Sequence, residues 1–148
     1  MRSLILVLSF ALAGALAAPA QDKKAVFPEG AKKGGPFSPG IIAGGTLYCS
    51  GQVGHDAKLG KIPENFEEEV KQTLENIGVT LKTVGYDFSD AVTVQVYLTD
   101  MELFQRMNAV YLKYFPEPRP ARTTVGISKL VGTARIEITV TAWKKQQN

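Results

Sequence analysis

The feature that most constrains this chain is a long helical stripe of apolar residues followed closely by an alternating apolar run. From Asn65 onward the stripe recurs at spacings of four, four, three, four and three, which is the period of an amphipathic helix. Its members are Phe66, Val70, Leu74, Ile77, Leu81 and Val84. Asn65 followed by Glu68 favours a capping box at the start, and Gly85 supplies a stop. The pattern predicts a helix over residues 65–84.

The alternating run that follows has the period of a strand with one core face. Val92, Val94, Val96 and Leu98 alternate with Thr93, Gln95 and Tyr97. Upstream, Gly44 and Gly45 separate two short apolar runs, and paired glycines supply the positive φ of a tight hairpin. The sequence therefore predicts strands at 46–50 and 91–98 joined through the helix, as a right-handed βαβ unit with parallel strands.

The rest of the chain predicts a second helix and two more strands. Asp100 can cap a helix from Met101 to Phe115, whose Met and aromatic stripe faces the core and which Pro116 ends. Strands follow at 122–127 and 134–143. In the last strand one face carries Ile136, Ile138, Val140 and Ala142, and the other carries Arg135, Glu137, Thr139, Thr141 and Trp143. One sheet face is then covered by helices and the other is left for a partner subunit, so we expect an oligomer.

Composition limits both the size and the chemistry of the protein. With 148 residues, 45% hydrophobic and 21% charged, the chain is expected to form a single globular domain. The 17 Lys and Arg against 14 Asp and Glu leave a net charge of only +3, and their scatter argues against a nucleic-acid partner. One Cys and one His exclude an intrachain disulfide and argue against a zinc site. We expect no metal, and a Cys49 that is buried or at a subunit contact.

The first 20 residues have the pattern of a signal peptide. A short basic start precedes an uncharged apolar run from Leu4 to Leu16, and cleavage after Ala17 or Ala20 fits the small residues there. The run is too short for a permanent membrane helix, so no stable membrane insertion is expected after cleavage. The predicted organisation is a signal peptide over 1–20, a flexible lead-in over 21–33 and one domain over 34–145. The protein is therefore predicted to be exported, either to a periplasm or to the outside.

Arg122 and Glu137 are the candidates for chemistry, because standard nucleophile, phosphate-loop, dinucleotide and paired-histidine motifs are absent from the sequence. The single His55 is expected to be an exposed loop residue. Arg122 opens an apolar strand and could form a surface ion pair or hold a carboxylate bidentately. Glu137 lies mid-strand between two isoleucines, which indicates either an ion pair with Arg135 or Arg122, or a general acid/base. Both alternatives remain open at this point.

Five blocks of the sequence together resemble a known family. They are Gly35-Pro36-Phe37-Ser38, Leu47-Tyr48-Cys49-Ser50-Gly51-Gln52, Asn108-Ala109-Val110-Tyr111 with Phe115, Pro120-Ala121-Arg122, and Arg135-Ile136-Glu137-Ile138. From Gly34 to Trp143 the chain resembles the Rid (YjgF) family of reactive-intermediate deaminases. The resemblance implies a chorismate-mutase-like α/β fold, with a mixed β-sheet and two helices packed on one face. It also implies a homotrimer whose sheets meet in a central barrel.

The resemblance implies a reaction as well. Active members hydrolyse 2-imino acids and their enamine tautomers, such as 2-iminopropanoate and 2-iminobutanoate, to 2-oxo acids and ammonia. They use no cofactor and work in clefts between subunits. In those terms Arg122 would hold the substrate carboxylate, while Glu137 would position or deprotonate the attacking water and pass a proton to the leaving nitrogen. Ser50 and Asn108 match positions that line the cleft, and the backbone around Thr124 matches a stretch that contacts the imine or the water.

The sequence departs from the family pattern at three positions. Phe37 stands where many active members carry Tyr, which removes a hydroxyl that could bond the substrate or a lid. Thr124 stands where many carry Cys, and Thr123 where Ser or Ala is usual. Phe37 and Thr124 favour an alternative function, a non-catalytic protein that binds small carboxylates in the same clefts. A nucleic-acid or chaperone-like role is a third possibility, but no basic stripe or aromatic platform supports it.

Overall fold

A computed structural model describes residues 23–145 of the chain. The predicted signal peptide over 1–20 lies outside the described residues. One mixed sheet and two helices make up the fold. The elements are β1 Lys24–Val26, β2 Gly40–Ala43, β3 Thr46–Cys49, β4 Gln52–Val53, α1 Phe66–Thr83, β5 Ala91–Leu98, α2 Phe104–Tyr111, β6 Ala121–Gly126 and β7 Ile136–Trp143.

The sheet runs in the order β1-β2-β3-β7-β5-β6, with β4 also paired to β7. The predicted hairpin is confirmed: β2 and β3 pair antiparallel, and Gly44 and Gly45 between them have φ of 57° and 77°. β3 and β5 are both antiparallel to β7, so they are parallel to one another as predicted. The sequence did not indicate that β7, the last strand of the chain, lies between them.

The hydrophobic core lies between one face of the sheet and both helices, which confirms the predicted fold class. α1 begins after Asn65, whose side chain accepts a hydrogen bond from the Glu68 backbone N–H at 2.9 Å. The reciprocal half of the predicted capping box is not formed. Gly85 follows the helix with a φ of 76°, as expected for a residue that ends a helix. The helical stripe from Phe66 to Leu81 is buried and its last member, Val84, is partly buried. The sheet residues that complete this core are Leu47, Val94, Val96, Leu98, Ile136, Ile138, Val140 and Ala142.

The second helix is shorter than the predicted span from Met101 to Phe115. Asp100 caps it as predicted, by accepting from the Glu102 N–H at 2.9 Å, but the first turn is a 3₁₀ turn and α2 ends at Tyr111. Beyond Tyr111 the bonds shorten to i→i+3, as in Tyr114 N–H to Tyr111 C=O at 3.0 Å. Phe115 is still buried at 1% exposure, so the apolar stripe continues although the α-helix does not.

The segment predicted to be a lead-in contains a short edge strand, β1, which pairs antiparallel with β2. Val26 in this strand is buried in the core at 3% exposure. Cys49 is buried as expected, and burial raises the pKa of its thiol to about 12. Within residues 23–145, none of the helices combines the length and the apolar character that crossing a membrane requires.

Candidate functional site

The two strongest candidate residues lie on opposite faces of the sheet. In the parallel pair β5–β6, Arg122 is the partner of Val94, which is fully buried on the helix-covered face. In the antiparallel pair β5–β7, Glu137 is the partner of Tyr97, on the open face. Directly paired residues project from the same face of a sheet. Arg122 and Glu137 therefore do not meet within one chain.

Arg122 packs on the aromatic residues of α2. Its guanidinium carbon lies 4.6 Å from the ring centroid of Tyr111 and 5.7 Å from that of Phe104, within the range of a cation–π contact. Asn108 lies four residues after Phe104 and three before Tyr111, so it falls between the two rings on the same helix face. Thr124 is two residues after Arg122 and shares its face of β6. The structure thus brings together Arg122, Asn108 and Thr124, which we call the arginine half-site.

The charge of Arg122 is unpaired in the part of the chain that the structure describes, where no acidic side chain forms an ion pair with it. The nearby Arg119 is different, because it pairs with Glu117. Burial raises the pKa of the Tyr111 hydroxyl, and the neighbouring Arg122 charge acts in the opposite direction. The half-buried guanidinium of Arg122 packs on aromatic rings and has no acidic partner among the described residues. Such a guanidinium is suited to bind the carboxylate of a ligand.

Glu137 belongs to a second group of residues on the other side of β7. Its carboxylate lies against Gly51, and a Cβ added at Gly51 would overlap its Oε1 atom. Ser50, the preceding residue, donates its hydroxyl to the Ser38 carbonyl at 2.7 Å. Phe37 precedes Ser38 and is exposed at 63%. The structure thus links Phe37 and Ser50 to the surroundings of Glu137, and we call this group the glutamate half-site.

Neither predicted ion-pair partner holds Glu137. Arg135 instead bonds Glu69 of α1: its backbone N–H donates to Glu69 Oε1 and its Nε to Glu69 Oε2, both at 2.7 Å. The Nη2 of Arg135 also donates to the carbonyls of Pro63 and Glu64. The prediction that Arg135 shares the open face with Glu137 is therefore wrong, because Arg135 precedes β7 and is drawn toward α1. Of the two alternatives for Glu137, the structural ion pair is not formed between residues 23 and 145.

Sequence reasoning missed Glu69 as a structural residue. It is the only charged side chain among the described residues that is buried, with 0% exposure. The available signal was its position three residues after Phe66 and one before Val70, at the edge of the apolar stripe. His55 is exposed, as predicted, and its backbone carbonyl accepts a hydrogen bond from the side-chain Nδ2 of Asn76 at 3.0 Å.

Comparisons with known proteins cover nearly all of this described region. The family model described as Endoribonuclease L-PSP matches residues 29–144. A RutC family protein of Pyrococcus horikoshii is 42% identical over 125 residues, which cover 83% of this chain and 99% of that protein. The 2-iminobutanoate/2-iminopropanoate deaminase of Bos taurus is 40% identical over 105 residues, covering 70% of this chain and 77% of the relative.

Solved structures share the fold as well as the sequence. The crystal structure of Escherichia coli TdcF with bound serine superposes with a TM-score of 0.75 at 26% identity. The superposition covers 82% of this chain and 99% of that one. Both the mixed sheet and the two helices on one face are therefore those of the relatives.

Proposed function

Because this chain belongs to the Rid (YjgF) family, we propose that it hydrolyses 2-imino acids and their enamine tautomers to 2-oxo acids and ammonia, without a cofactor. The substrates would be of the 2-iminopropanoate and 2-iminobutanoate type, as the name of the bovine relative indicates for that protein. The observation that carries the proposal is the guanidinium of Arg122, which packs on the ring of Tyr111 and has no ion-pair partner among the described residues. A 2-imino acid supplies the α-carboxylate that this guanidinium lacks.

The position of Arg122 on an edge strand supports access by a ligand. β6 is the last strand in the sheet order and pairs with β5. The N–H of Ile127 donates to the Leu98 carbonyl at 2.8 Å, so odd-numbered residues of β6 direct their backbone groups toward β5. Backbone N–H and C=O groups alternate in direction along a strand. Those of Arg122 and Thr124 therefore point to the free edge, where they can contact an imine or a water molecule.

The proposed reaction needs both half-sites, and a second copy of the chain would supply the missing one. The open sheet face exposes Tyr48 and Trp143, each at 52%, and a partner subunit packed on that face would cover both aromatic side chains. If that face packs against a partner subunit, the glutamate half-site of one copy can meet the arginine half-site of the next. A homotrimer with the active sites in clefts between subunits satisfies this requirement.

In such a cleft each residue has a definite role. Arg122 binds the carboxylate and orients the protonated imine, whose carbon is electrophilic without a metal. Glu137 accepts a proton from water as the water oxygen bonds to the imine carbon, giving a tetrahedral aminoalcohol. The proton then passes to the nitrogen, the C–N bond breaks, and the electron pair leaves with ammonia. Glu137 is ionised again once its proton has passed to the nitrogen, and the released ammonia takes up the hydroxyl proton, which gives the 2-oxo acid and ammonium.

A non-catalytic protein that binds small carboxylates is the alternative, and two observations favour it. Phe37 lacks the hydroxyl that many active members have at this position, and its ring is largely exposed at 63%. The structure of TdcF contains serine, an amino acid rather than an imine. Binding of 2-oxo acids without imine turnover would support this alternative.

The deciding experiment measures 2-oxo acid release from freshly generated 2-iminopropanoate and 2-iminobutanoate, with spontaneous hydrolysis subtracted. Arg122→Ala and Glu137→Gln are compared with Arg119→Ala, a matched control in which the lost arginine already has a partner in Glu117. The proposal requires turnover that both site variants abolish or greatly reduce and that Arg119→Ala retains. Wild-type rates equal to the spontaneous rate contradict it. An RNA substrate in the same series tests the activity named in the family model's description.

We further propose that residues 1–20 direct export, on the strength of their sequence pattern alone. The mature chain would then begin after Ala17 or Ala20. Mass measurement of the protein recovered from the producing cells, with cell fractionation, tests this. Recovery of the full 148-residue chain inside the cell contradicts it.

A further inference from the structure

Two buried hydroxyl groups next to Arg122 have no acceptor for their protons in the part of the chain that the structure describes. Among the described residues, Tyr111 Oη and Thr124 Oγ1 are the buried side-chain polar atoms left in this state. Tyr111 is 2% exposed. Buried polar groups in folded proteins are nearly always hydrogen-bonded, and an exception at a functional site points to a missing partner. Both exceptions among the described residues lie beside Arg122: Thr124 belongs to the arginine half-site, and Tyr111 supplies the ring on which Arg122 packs.

The two hydroxyls flank the same cation. Arg122 lies over the ring of Tyr111, 4.6 Å from its centroid, and the Arg122 charge acts on the Tyr111 hydroxyl. Thr124 shares the face of β6 with Arg122, one side-chain position further along the strand. The rest of the surrounding core is apolar, including Val94, Val96 and Met107. The guanidinium of Arg122 can donate to the Tyr111 oxygen, but no acceptor group among the described residues receives the proton of either hydroxyl.

A bound carboxylate would satisfy both hydroxyls and the cation together. An ionised carboxylate offers about four acceptor positions on its two oxygens. The fork of a guanidinium can fill two of them, which leaves two for the hydroxyl donors. The match in number and chemistry points to a single anionic group held by three side chains.

Resting on the proposed function, we propose that Tyr111 and Thr124 are substrate-binding residues that donate their hydroxyl protons to the carboxylate held by Arg122. The three side chains form what we call the carboxylate cradle. The cradle makes the site specific for a free α-carboxylate. A neutral amide in the same place would direct its own N–H groups toward these donors and leave the guanidinium without an anion.

The cradle is tested by binding of 2-oxobutanoate, a stable product analogue, to the full chain, measured by calorimetry. Tyr111→Phe keeps the ring beneath Arg122 and Thr124→Val keeps the shape, so each removes only a donor. We expect each variant to weaken the affinity about tenfold and the double variant about a hundredfold, the usual effect of losing a hydrogen bond to a charged group. Tyr114→Phe and Thr123→Val are the matched controls and should bind as the wild type does.

The stability of the ligand-free variants separates binding from a structural role. Because the protons of both hydroxyls lack an acceptor among the described residues of the free protein, Tyr111→Phe and Thr124→Val should leave its melting temperature unchanged or raise it. The rise in melting temperature that 2-oxobutanoate causes should shrink in both. Unchanged affinity in both variants overturns the cradle, as does tight binding of 2-oxobutanamide or no binding of 2-oxobutanoate to the wild type.

Failure of the cradle and failure of the proposed function give different results. If the wild type binds 2-oxobutanoate through the three side chains but does not hydrolyse imines, the cradle stands and the deaminase proposal fails. If the wild type hydrolyses imines and the two hydroxyl variants keep its KM, the cradle fails and the deaminase proposal stands.

Discussion

The protein contains two sets of glutamate and arginine, and the fold uses them in opposite ways. Glu69 is fully buried, and both of its carboxylate oxygens accept hydrogen bonds from Arg135. Glu137 and Arg122 lie on opposite faces, and neither forms an ion pair within residues 23–145. A charged group that is paired within its own chain joins the elements that contribute the pair. A charged group that is fixed in position but has no partner remains available to a ligand.

The two sets differ in what surrounds them as well as in pairing. Arg135 is bound at once by Glu69 and by the carbonyls of Pro63 and Glu64, so it joins the start of α1 to the start of β7. Arg122 contacts the rings of Tyr111 and Phe104, which orient its guanidinium without neutralising the charge. The first arrangement predicts large effects on stability. The second predicts large effects on activity.

The largest effect on stability is expected from Glu69→Ala. This change leaves the Arg135 guanidinium without its anion and its backbone N–H without an acceptor, which costs about 3–5 kcal/mol when a buried pair is broken. Urea unfolding at a fixed protein concentration measures the loss. Glu68→Ala is the control, since Glu68 is exposed and pairs only with exposed Lys71 at 3.6 Å. Equal destabilisation by the two changes would contradict a structural role for Glu69.

Gly51→Ala should damage the glutamate half-site with a smaller cost in stability. The new Cβ would overlap Glu137 Oε1, so the carboxylate must move or the strands must separate, at a cost of about 1–3 kcal/mol for overpacking. We expect imine turnover to fall by more than the unfolding free energy explains. Gly35→Ala is the control because nothing lies within 4 Å of the added Cβ. Full activity in Gly51→Ala would show that the position of Glu137 is not critical.

Arg122→Ala and Glu137→Gln should change stability least among the charged residues of the sheet. Neither residue has an ion pair to lose within the described chain, so we expect the unfolding free energy to stay within about 1 kcal/mol of the wild type. The same variants should lose turnover, by about 30-fold to several thousand-fold for the arginine, if about 2–5 kcal/mol of binding to the carboxylate is removed. A destabilisation comparable to that of Glu69→Ala would contradict the distinction between a set that stabilises the fold and a set that serves activity.

Much of the fold could be predicted because its signals are local. The stripe in α1, the alternation in β5 and the paired glycines before β3 each act within a few residues, and all three elements form where expected. The end of α2 and the insertion of β7 between β3 and β5 depend on packing between distant segments. Periodicity along the chain contains no information on either.

The same difference between local signals and long-range packing applies to the candidate site. Arg122 and Glu137 were identified because a cation at a strand start and an acid between isoleucines are unusual locally. Their placement on opposite faces follows from strand register, which the alternation of a single strand does not fix. Glu69 and the hydroxyl of Tyr111 were missed because each looks ordinary in the sequence. Their importance comes from burial beside an arginine far away in the chain.

The smallest effect is expected from Glu67, two residues before Glu69 on α1. Glu67 accepts two hydrogen bonds from Arg106 of α2, both at 2.7 Å, at an exposed site. The Arg106 guanidinium holds the pKa of Glu67 at about 2, below its ordinary value of 4.5. The lowered pKa means that the pair stabilises the fold above about pH 4.5 and that this contribution is lost as the pH falls through 2.

Salt screens an exposed pair but not a buried one. The stability difference between the wild type and Glu67→Gln should therefore be small at pH 7 and disappear near pH 2 or in 1 M salt, while that of Glu69→Gln persists in salt. If salt removes both differences equally, burial is not what separates the two glutamates.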